Sequence, residues 1–280
     1  NVIDRFNNTT RYDYDAAANL LRVRYANGVT NTYSYDSLNR LTNLVAAKTG
    51  STLARFSYKL AATGHRTNLT ELNGRTVGYA YNSLDRLTSE VISSDPSGLT
   101  GTVSYALDAV GNRTNRTSSV PGIASATSTF DLNDRISGES FDKNGNVITN
   151  ASGQRLDYDS NDRLTNFNNG AVIIVYDGDG NRVRKTVGGV TTLYLVDELN
   201  PTGFAQVLEE LSATNSTPLR LYTYGMSLVS QRASNRTTHY YGYDGVGSIR
   251  FLTDTSANLS DTYVYDAYGV VITNTGTTTN

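Results

Sequence analysis

Tyr35-Asp36-Ser37-Leu38-Asn39-Arg40-Leu41-Thr42 returns as Tyr81-Asn82-Ser83-Leu84-Asp85-Arg86-Leu87-Thr88, and again as Tyr158-Asp159-Ser160-Asn161-Asp162-Arg163-Leu164-Thr165. Variants fill the intervals: Tyr105 to Arg113, Phe130-Asp131 with Arg135-Ile136, Phe141-Asp142 with Asn146-Val147, and Tyr176-Asp177-Gly178-Asp179-Gly180-Asn181-Arg182-Val183. Tyr14-Asp15 and a degenerate Tyr58-Lys59 extend the series toward the N-terminus. Tyr243-Asp244-Gly245-Val246-Gly247-Ser248 and Tyr265-Asp266-Ala267-Tyr268-Gly269 close it. With the key aromatic at 14, 35, 58, 81 and 105, the early spacing is 21 to 24 residues, the length of one hairpin with its connection.

The motif has a physical logic. An aromatic ends an alternating strand such as Thr32-Tyr33-Ser34-Tyr35, and the carboxylate of the Asp that follows accepts hydrogen bonds from the amides of a tight turn. Asn, Asp or Gly two or three positions on tolerates the left-handed backbone that the turn demands. Arg-Leu-Thr or Arg-Val-Arg then restarts the alternation, with Leu or Val on one face and charged or hydroxyl side chains on the other. The structural positions of the repeat are Tyr35, Asp36 and Arg40; Tyr81 and Arg86; Tyr158, Asp159 and Arg163; Tyr176, Asp177 and Arg182; Tyr243 and Asp244; Tyr265 and Asp266. Tyr rings at one rung of successive hairpins are expected to stack as cross-strand neighbours, at roughly 0.2 to 1 kcal/mol per pair. The expected fold is all-β, with consecutive antiparallel β-hairpins in a continuous spiral sheet.

Composition agrees with many short half-buried strands joined by turns. The 280 residues hold 20 Tyr, no Trp, no Cys and only 4 Pro, with a surplus of Thr, Asn, Ser and Gly. Lys and Arg number 24 against 26 Asp and Glu, dispersed for a net charge of -2, so no single-sign field invites nucleic acid or an anionic membrane. Lack of cysteine removes disulfides and thiolate metal sites, and is compatible with a reducing cytosol or with a secreted protein. No basic-then-apolar leader and no apolar run of about 20 residues is present, so insertion of a membrane helix is not expected. A start at Asn1 rather than Met makes a piece of a longer precursor the expectation.

These repeats resemble those of the Rhs and YD-repeat proteins, which include toxin-complex shells and the barrel of teneurins, over nearly the whole chain. The most specific stretch is Tyr240-Tyr241-Gly242-Tyr243-Asp244-Gly245-Val246-Gly247-Ser248-Ile249-Arg250-Phe251-Leu252-Thr253-Asp254, followed by Tyr263-Val264-Tyr265-Asp266-Ala267-Tyr268-Gly269. It resembles the opening of the Rhs-associated core, which in the family continues into Tyr- and Asn-Pro-rich segments and an Asp-Pro-containing self-cleavage region. The sequence stops at Thr277-Thr278-Thr279-Asn280, so protease function is not carried over. The resemblance implies hairpin repeats over 1–239 and the start of the core over 240–280, in the same continuous sheet. It also implies a wall enclosing a cargo polypeptide, in an extracellular or cell-surface protein.

One segment resists the strand reading. Val196 to Pro201, followed by Phe204 to Leu211, is either a short helix started by Pro201 or a strand from Ala205 to Leu211. The strand would pair with Arg220–Tyr224 across the turn Ala213-Thr214-Asn215-Ser216. It is favoured, since local propensity is a weak prior inside a hairpin array.

Catalytic constellations are scarce. His65 and His239 are the two histidines, too few for a multi-His metal site and hard to build into a triad. Asp177-Gly178-Asp179-Gly180-Asn181 starts like a calcium loop, but Arg182 stands where the loop needs Gly and Gly188 where it needs the bidentate Glu. Asp142-Lys143-Asn144-Gly145-Asn146 departs similarly, and turn formation explains both. Glu209 and Glu210 alternate across a strand and cannot share a proton. No phosphate loop, nucleophile elbow or dinucleotide fingerprint is present. No cofactor, metal or enzymatic activity is expected.

Asn-x-Ser/Thr triplets at Asn7, Asn8, Asn68, Asn112, Asn115, Asn150, Asn215, Asn235 and Asn258 are glycan acceptors only on a secretory route. Two functions fit: a non-catalytic wall segment of a secreted or toxin-encapsulating shell, or an extracellular self-assembling or carbohydrate-binding surface protein. Partners would be the rest of the precursor, a cargo polypeptide, or further copies joined as oligomers or filaments through terminal strands. About 22 to 24 strands at ~4.8 Å give a rim of roughly 110 Å, little more than one turn of an open barrel. The uncharged tract Ile272 to Thr279 leaves few guards on the closing edge. Far-ultraviolet circular dichroism of the chain is expected to be dominated by β-structure, and a helix-dominated spectrum would reject the hairpin reading.

Overall fold

The computed structural model describes residues 1–278; Thr279 and Asn280, the end of the Thr-rich tract, lie outside the described residues. Among the described residues there are 26 strands and no helix. The first twelve strands, from Val2–Ile3 to Ala126–Thr127, pair in chain order as one antiparallel sheet. Ser140–Phe141 and Val147–Thr149 form a two-stranded ladder. The last twelve, from Leu156–Tyr158 to Val271–Thr275, again pair in order. Each strand therefore pairs with its neighbours in sequence, the outcome expected when every turn closes its own hairpin. The strand reading of 205–211 holds: Gln206–Ser212 pairs with Pro218–Tyr224, placing Glu209 opposite Leu221 and Glu210 opposite Arg220.

The repeat turn is the same object each time. In the Tyr35 copy, the Asn39 amide donates to the Asp36 carbonyl at 3.0 Å and the Asp36 amide to the Arg40 carbonyl at 3.0 Å. This is a type I turn completed by one left-handed residue. That residue is Asn39 (φ 58°), Asp85 (φ 58°), Asp162 (φ 60°), Gly111 (φ 106°) or Gly180 (φ 92°), always the fourth of the turn. Asn, Asp and Gly recur there because other side chains meet the steric cost of positive φ. One residue later the register slips: Ser34 faces Asn43 but Tyr35 faces Leu41, so Thr42 bulges out.

Sheet edges carry a guard that the sequence reading missed. The outermost strands Val2–Ile3 and Ala126–Thr127 have two residues each and Leu156–Tyr158 has three, so they offer little ladder to a passing chain. Only Val271–Thr275, with five residues, is a longer terminal strand.

Two compact units arise. One comprises Asn1–Ser128, Tyr224–Ser230 and Thr238–Asn280; the other comprises Thr129–Thr223 and Gln231–Thr237. In the first, alternate residues of successive strands make a core of Leu44, Ala46, Phe56, Tyr58, Leu69, Val77, Ile92, Val103 and Tyr105, closed by Phe251. A second cluster gathers Val23, Tyr25, Val29, Val229 and Tyr240. In the other unit, residues 129–223 are half-buried or exposed throughout. Stability should therefore concentrate in the first unit. Leu44→Ala, at a side chain 1% exposed, is expected to lower unfolding free energy in urea by about 3 kcal/mol. Leu132→Ala, at a fully exposed turn tip, should stay within ~0.5 kcal/mol of the parent.

Candidate functional site

The Asp of each repeat organises its turn from within. Asp36 Oδ1 accepts the amides of Leu38 (2.9 Å) and Arg40 (3.0 Å), while Oδ2 takes the Arg40 guanidinium at 2.7 Å. Asp159 does the same with the amides of Asn161 and Arg163 and the Arg163 guanidinium, again at 2.7 Å. In the Tyr81 copy, Asn82 Oδ1 holds the amides of Leu84 and Arg86, both at 3.0 Å, but an amide offers Arg86 no ion pair. Asp177 Oδ1 accepts from Asp179 and Asn181. Here Asn181, not Arg182, holds the position of Arg40, and Arg182 lies over the Tyr194 ring at 4.9 Å. Hydrogen bonds to the turn hold Asp36 and Asp159 below the usual carboxylate range, with the Arg40 and Arg163 amides the largest cause.

Arg and Tyr then tie one hairpin to the next. Arg40 Nη1 donates to the Ala61 carbonyl of the following turn at 3.0 Å, Arg86 Nη1 to Asp108 at 3.1 Å, and Arg163 Nη1 to Asp177 at 3.4 Å. Tyr hydroxyls reach the other way, to the strand that leaves the preceding turn: Tyr35 to Leu20 O (2.9 Å), Tyr81 to Arg66 O (2.9 Å), Tyr158 to Val147 O (3.1 Å), Tyr176 to Leu164 O (3.0 Å) and Tyr243 to Leu228 O (2.7 Å). The expected stack of Tyr35, Tyr81, Tyr158 and Tyr176 on one another is thus replaced by hydroxyl-to-carbonyl bonds, and Arg163 covers the Tyr176 ring at 5.0 Å. Two strands, about 9.6 Å, separate successive turns, too far for rings to touch but within reach of Arg.

Two positions escaped the sequence reading. The Thr of Arg-Leu-Thr fills the bulge: Thr42, Thr88 and Thr165 donate Oγ1 to the carbonyls of Ser34, Ala80 and Asp157 at 3.1 to 3.2 Å. Thr67 and Thr114 do likewise to Lys59 and Ala106. Its signal was the fixed distance from the turn Asp. Second, Tyr58 and Tyr105 are not equivalent to Tyr35. Their turns are Ala61–His65 and Asp108–Asn112, so Leu60 and Leu107 take the strand-end position, and Tyr58 and Tyr105 align with Tyr33 and Tyr79 on the same face.

That inner Tyr row borders a buried ion network. Arg250 donates to Glu71 Oε1 (2.8 Å), Asp244 Oδ2 (3.2 Å) and the Tyr263 carbonyl (3.0 Å). Arg75 pairs with Glu71 at 2.7 Å and Asp95 at 3.2 Å. Burial alone would weaken the Arg250 charge, but Glu71 and Asp244 outweigh it and raise its pKa. Tyr58 OH accepts the Gly245 amide at 2.7 Å, and burial pushes that phenol up to about 12. A Cβ on Gly245 would lie 2.6 Å from Leu41, so only glycine admits this approach. A cavity of about 260 Å³ remains among Tyr58, Arg66, Tyr79, Tyr265 and Asp266.

Remaining candidates resolve into structural contacts. His65 pairs with Asp85 at 3.2 Å and lies against Tyr81. His239 Nδ1 meets Ser260 Oγ at 2.9 Å, but Ser260 itself bridges to Asp261 at 2.7 Å, so serine rather than histidine is the middle member, the wrong order for a triad. Asp177, Asp179 and Glu198 bring ligand atoms within 4.8 Å of one another, with Glu198 supplied by a later loop instead of the calcium-loop position. Among the Asn-x-Ser/Thr sites, the amides of Asn8, Asn112, Asn150 and Asn258 bond within their turns. Asn68 and Asn115 lie on strands, and Asn215 and Asn235 are exposed in turns.

Repeat, turn and sheet order together define the class: the chain has an all-β YD-repeat shell fold. No protein-family model matches it. The tRNA3(Ser)-specific nuclease WapA of Bacillus spizizenii is 30% identical over 96% of the chain. The tRNA nuclease WapA of Bacillus subtilis is 30% identical over 60%. The chain spans only 12% and 8% of those two proteins. Among solved structures, the Photorhabdus luminescens Tc holotoxin pore superposes with a TM-score of 0.76 over 95% of the chain and 16% of its own, at 19% identity. A TcdB2-TccC3 crystal structure gives 0.72 over 95% and 16%, also at 19% identity.

The turn carboxylates make stability depend on acid. Their pKa values are depressed on folding, so their contribution is complete above the unfolded value near 3.9 and is lost as pH falls through the lower folded values. Asp159→Ala is expected to lower the melting temperature at neutral pH and to flatten the acid limb of the melting curve. Coincident curves would mean that Asp159 is merely solvated.

Proposed function

We propose that this segment is a non-catalytic wall piece of an exported shell that encloses a cargo polypeptide. One observation carries this: nearly the whole chain superposes on Tc toxin structures, and its recurring polar side chains are committed to turns and to links between hairpins. Many hairpins are tied to the next by a Tyr–carbonyl bond, an Arg–carbonyl bond or both, which suits a sheet that must extend without slipping register. Residues 1–239 would be the repeat array and 240–280 the opening of the Rhs-associated core. Extracellular or cell-surface deployment follows from this role.

The nuclease activity in the names of the WapA proteins is that of proteins of which the matched segment is about an eighth or less. The purified chain should accordingly leave tRNA intact. In the precursor, a downstream cargo polypeptide should resist added protease while this wall is present and be digested once residues 1–278 are deleted. Equal digestion in both proteins, or tRNA cleavage by the chain, would overturn the proposal. A self-assembling role has narrower support, in the five-residue uncharged terminal strand Val271–Thr275. Species that grow with concentration in sedimentation velocity would favour it.

A further inference from the structure

The turn Asp266–Val270, like Asp244–Ser248, lacks the local Arg or Asn that pairs with the Asp in many of the other turns. Where Asp36 and Asp159 have an Arg four residues on, Asp266 has Val270. Its Oδ1 accepts the Tyr268 and Val270 amides at 2.9 and 2.8 Å in the usual way. Oδ2 has no hydrogen-bond partner although the side chain is completely buried, and its nearest cation, Arg116 Nη1, stands 3.7 Å away instead of 2.7 Å.

Across from it lies a second buried carboxyl. Glu90, 1% exposed, accepts the Tyr105 hydroxyl at 2.5 Å and the Ala267 amide on both oxygens at 3.1 Å. The charged groups around the pair are few. From the neighbouring strands come Arg75, already bound to Glu71 and Asp95, and the phenols of Tyr79 and Tyr105; from beyond Asp266 comes Arg116. Tyr268 packs on Tyr105 with ring centroids 4.6 Å apart, and Arg113 covers Tyr268 at 4.4 Å. Of these two buried carboxyls, Asp266 therefore has only the distant Arg116, and Glu90 has no ion-pair partner among the described residues.

We propose that the buried Glu90 carboxyl is a proton-controlled latch that holds the Asp266–Val270 turn on the Tyr105 face when it carries a proton, and loosens it when that proton is lost beside Asp266. Burial, then repulsion from Asp266, outweigh the Tyr105 and Ala267 hydrogen bonds and hold the Glu90 carboxyl above its ordinary range. With the turn undocked, the Glu90 carboxyl meets water and regains ordinary acidity. The docked form thus binds more protons, and docking weakens as pH rises from the ordinary Glu value toward the raised one. The turn contributes Asp266, Ala267 and Gly269 to the lining of the 260 Å³ cavity, so its release would open that cavity next to Arg66, Arg75 and Arg250.

Amide hydrogen-exchange protection at Ala267 and Tyr268, corrected for intrinsic rates, tests this from about pH 4 to about pH 7. Protection is expected to be flat near pH 4 and then to fall by up to about tenfold per pH unit before levelling, because each opening releases one proton. The turn Asp254–Asn258, whose Asp254 is held by its local Asn258, serves as internal control and should stay level. Glu90→Gln should abolish the fall, and Asp266→Asn, which removes the neighbouring charge but leaves Glu90 buried, should shrink it. A level profile in the parent chain, or an unchanged fall in both variants, would overturn the latch.

Discussion

One carboxylate in one turn sets the rest of this structure. The Asp36 type of side chain ties two turn amides with Oδ1 and an Arg, or in other copies an Asn, with Oδ2. That arrangement fixes a left-handed fourth residue, and the bulge that follows is filled by a Thr hydroxyl. The bulge twists the strand pair, and the Arg reaches onward to the next turn. Because the bonds of this turn motif close within one hairpin or between adjacent hairpins, the sheet grows by local steps and each strand finds its partner next in sequence.

Such a lattice can be long and yet thinly buried. Over 129–223 it holds its turns and ladders with no buried side chain, so hydrogen bonds and cross-strand contacts carry the order there. The other unit differs because residues far apart in sequence close over one sheet face. Gly245 meets Tyr58, Arg250 meets Glu71 and Ala267 meets Glu90, across 187, 179 and 177 residues. A buried charge left without its partner is costly, so Glu71, held between Arg75 and Arg250, is both the hub and the weak point of that closure. The same logic separates Asp244, whose missing local Arg is replaced by Arg250, from Asp266, whose replacement Arg116 stops short.

By itself the sequence determined the hairpin series, the turn residues and the turn-capping role of Asp36 and Asp159, since these interactions span at most four residues and recur at one spacing. The bonds of Arg40 and Arg163 to those carboxylates and to the next turn came from the structure. The strand at 205–211, favoured over a short helix because of the surrounding hairpin array, is found as Gln206–Ser212. Register at Tyr58 and Tyr105 was misplaced, because Leu60 and Leu107 interrupt the aromatic and only ladder pairing shows which residue ends the strand. Tyr stacking was wrongly expected for a related reason: spacing along the chain shows recurrence but not the two-strand gap between turns. Glu71, Arg75, Glu90, Asp95 and Arg250 carry no repeat signature, and Glu90 reads as an ordinary polar residue on a strand. Their burial and pairing were decided only when strands 240–278 closed over the Tyr row, since an ion pair between distant residues depends on which surfaces meet and leaves no period in the chain.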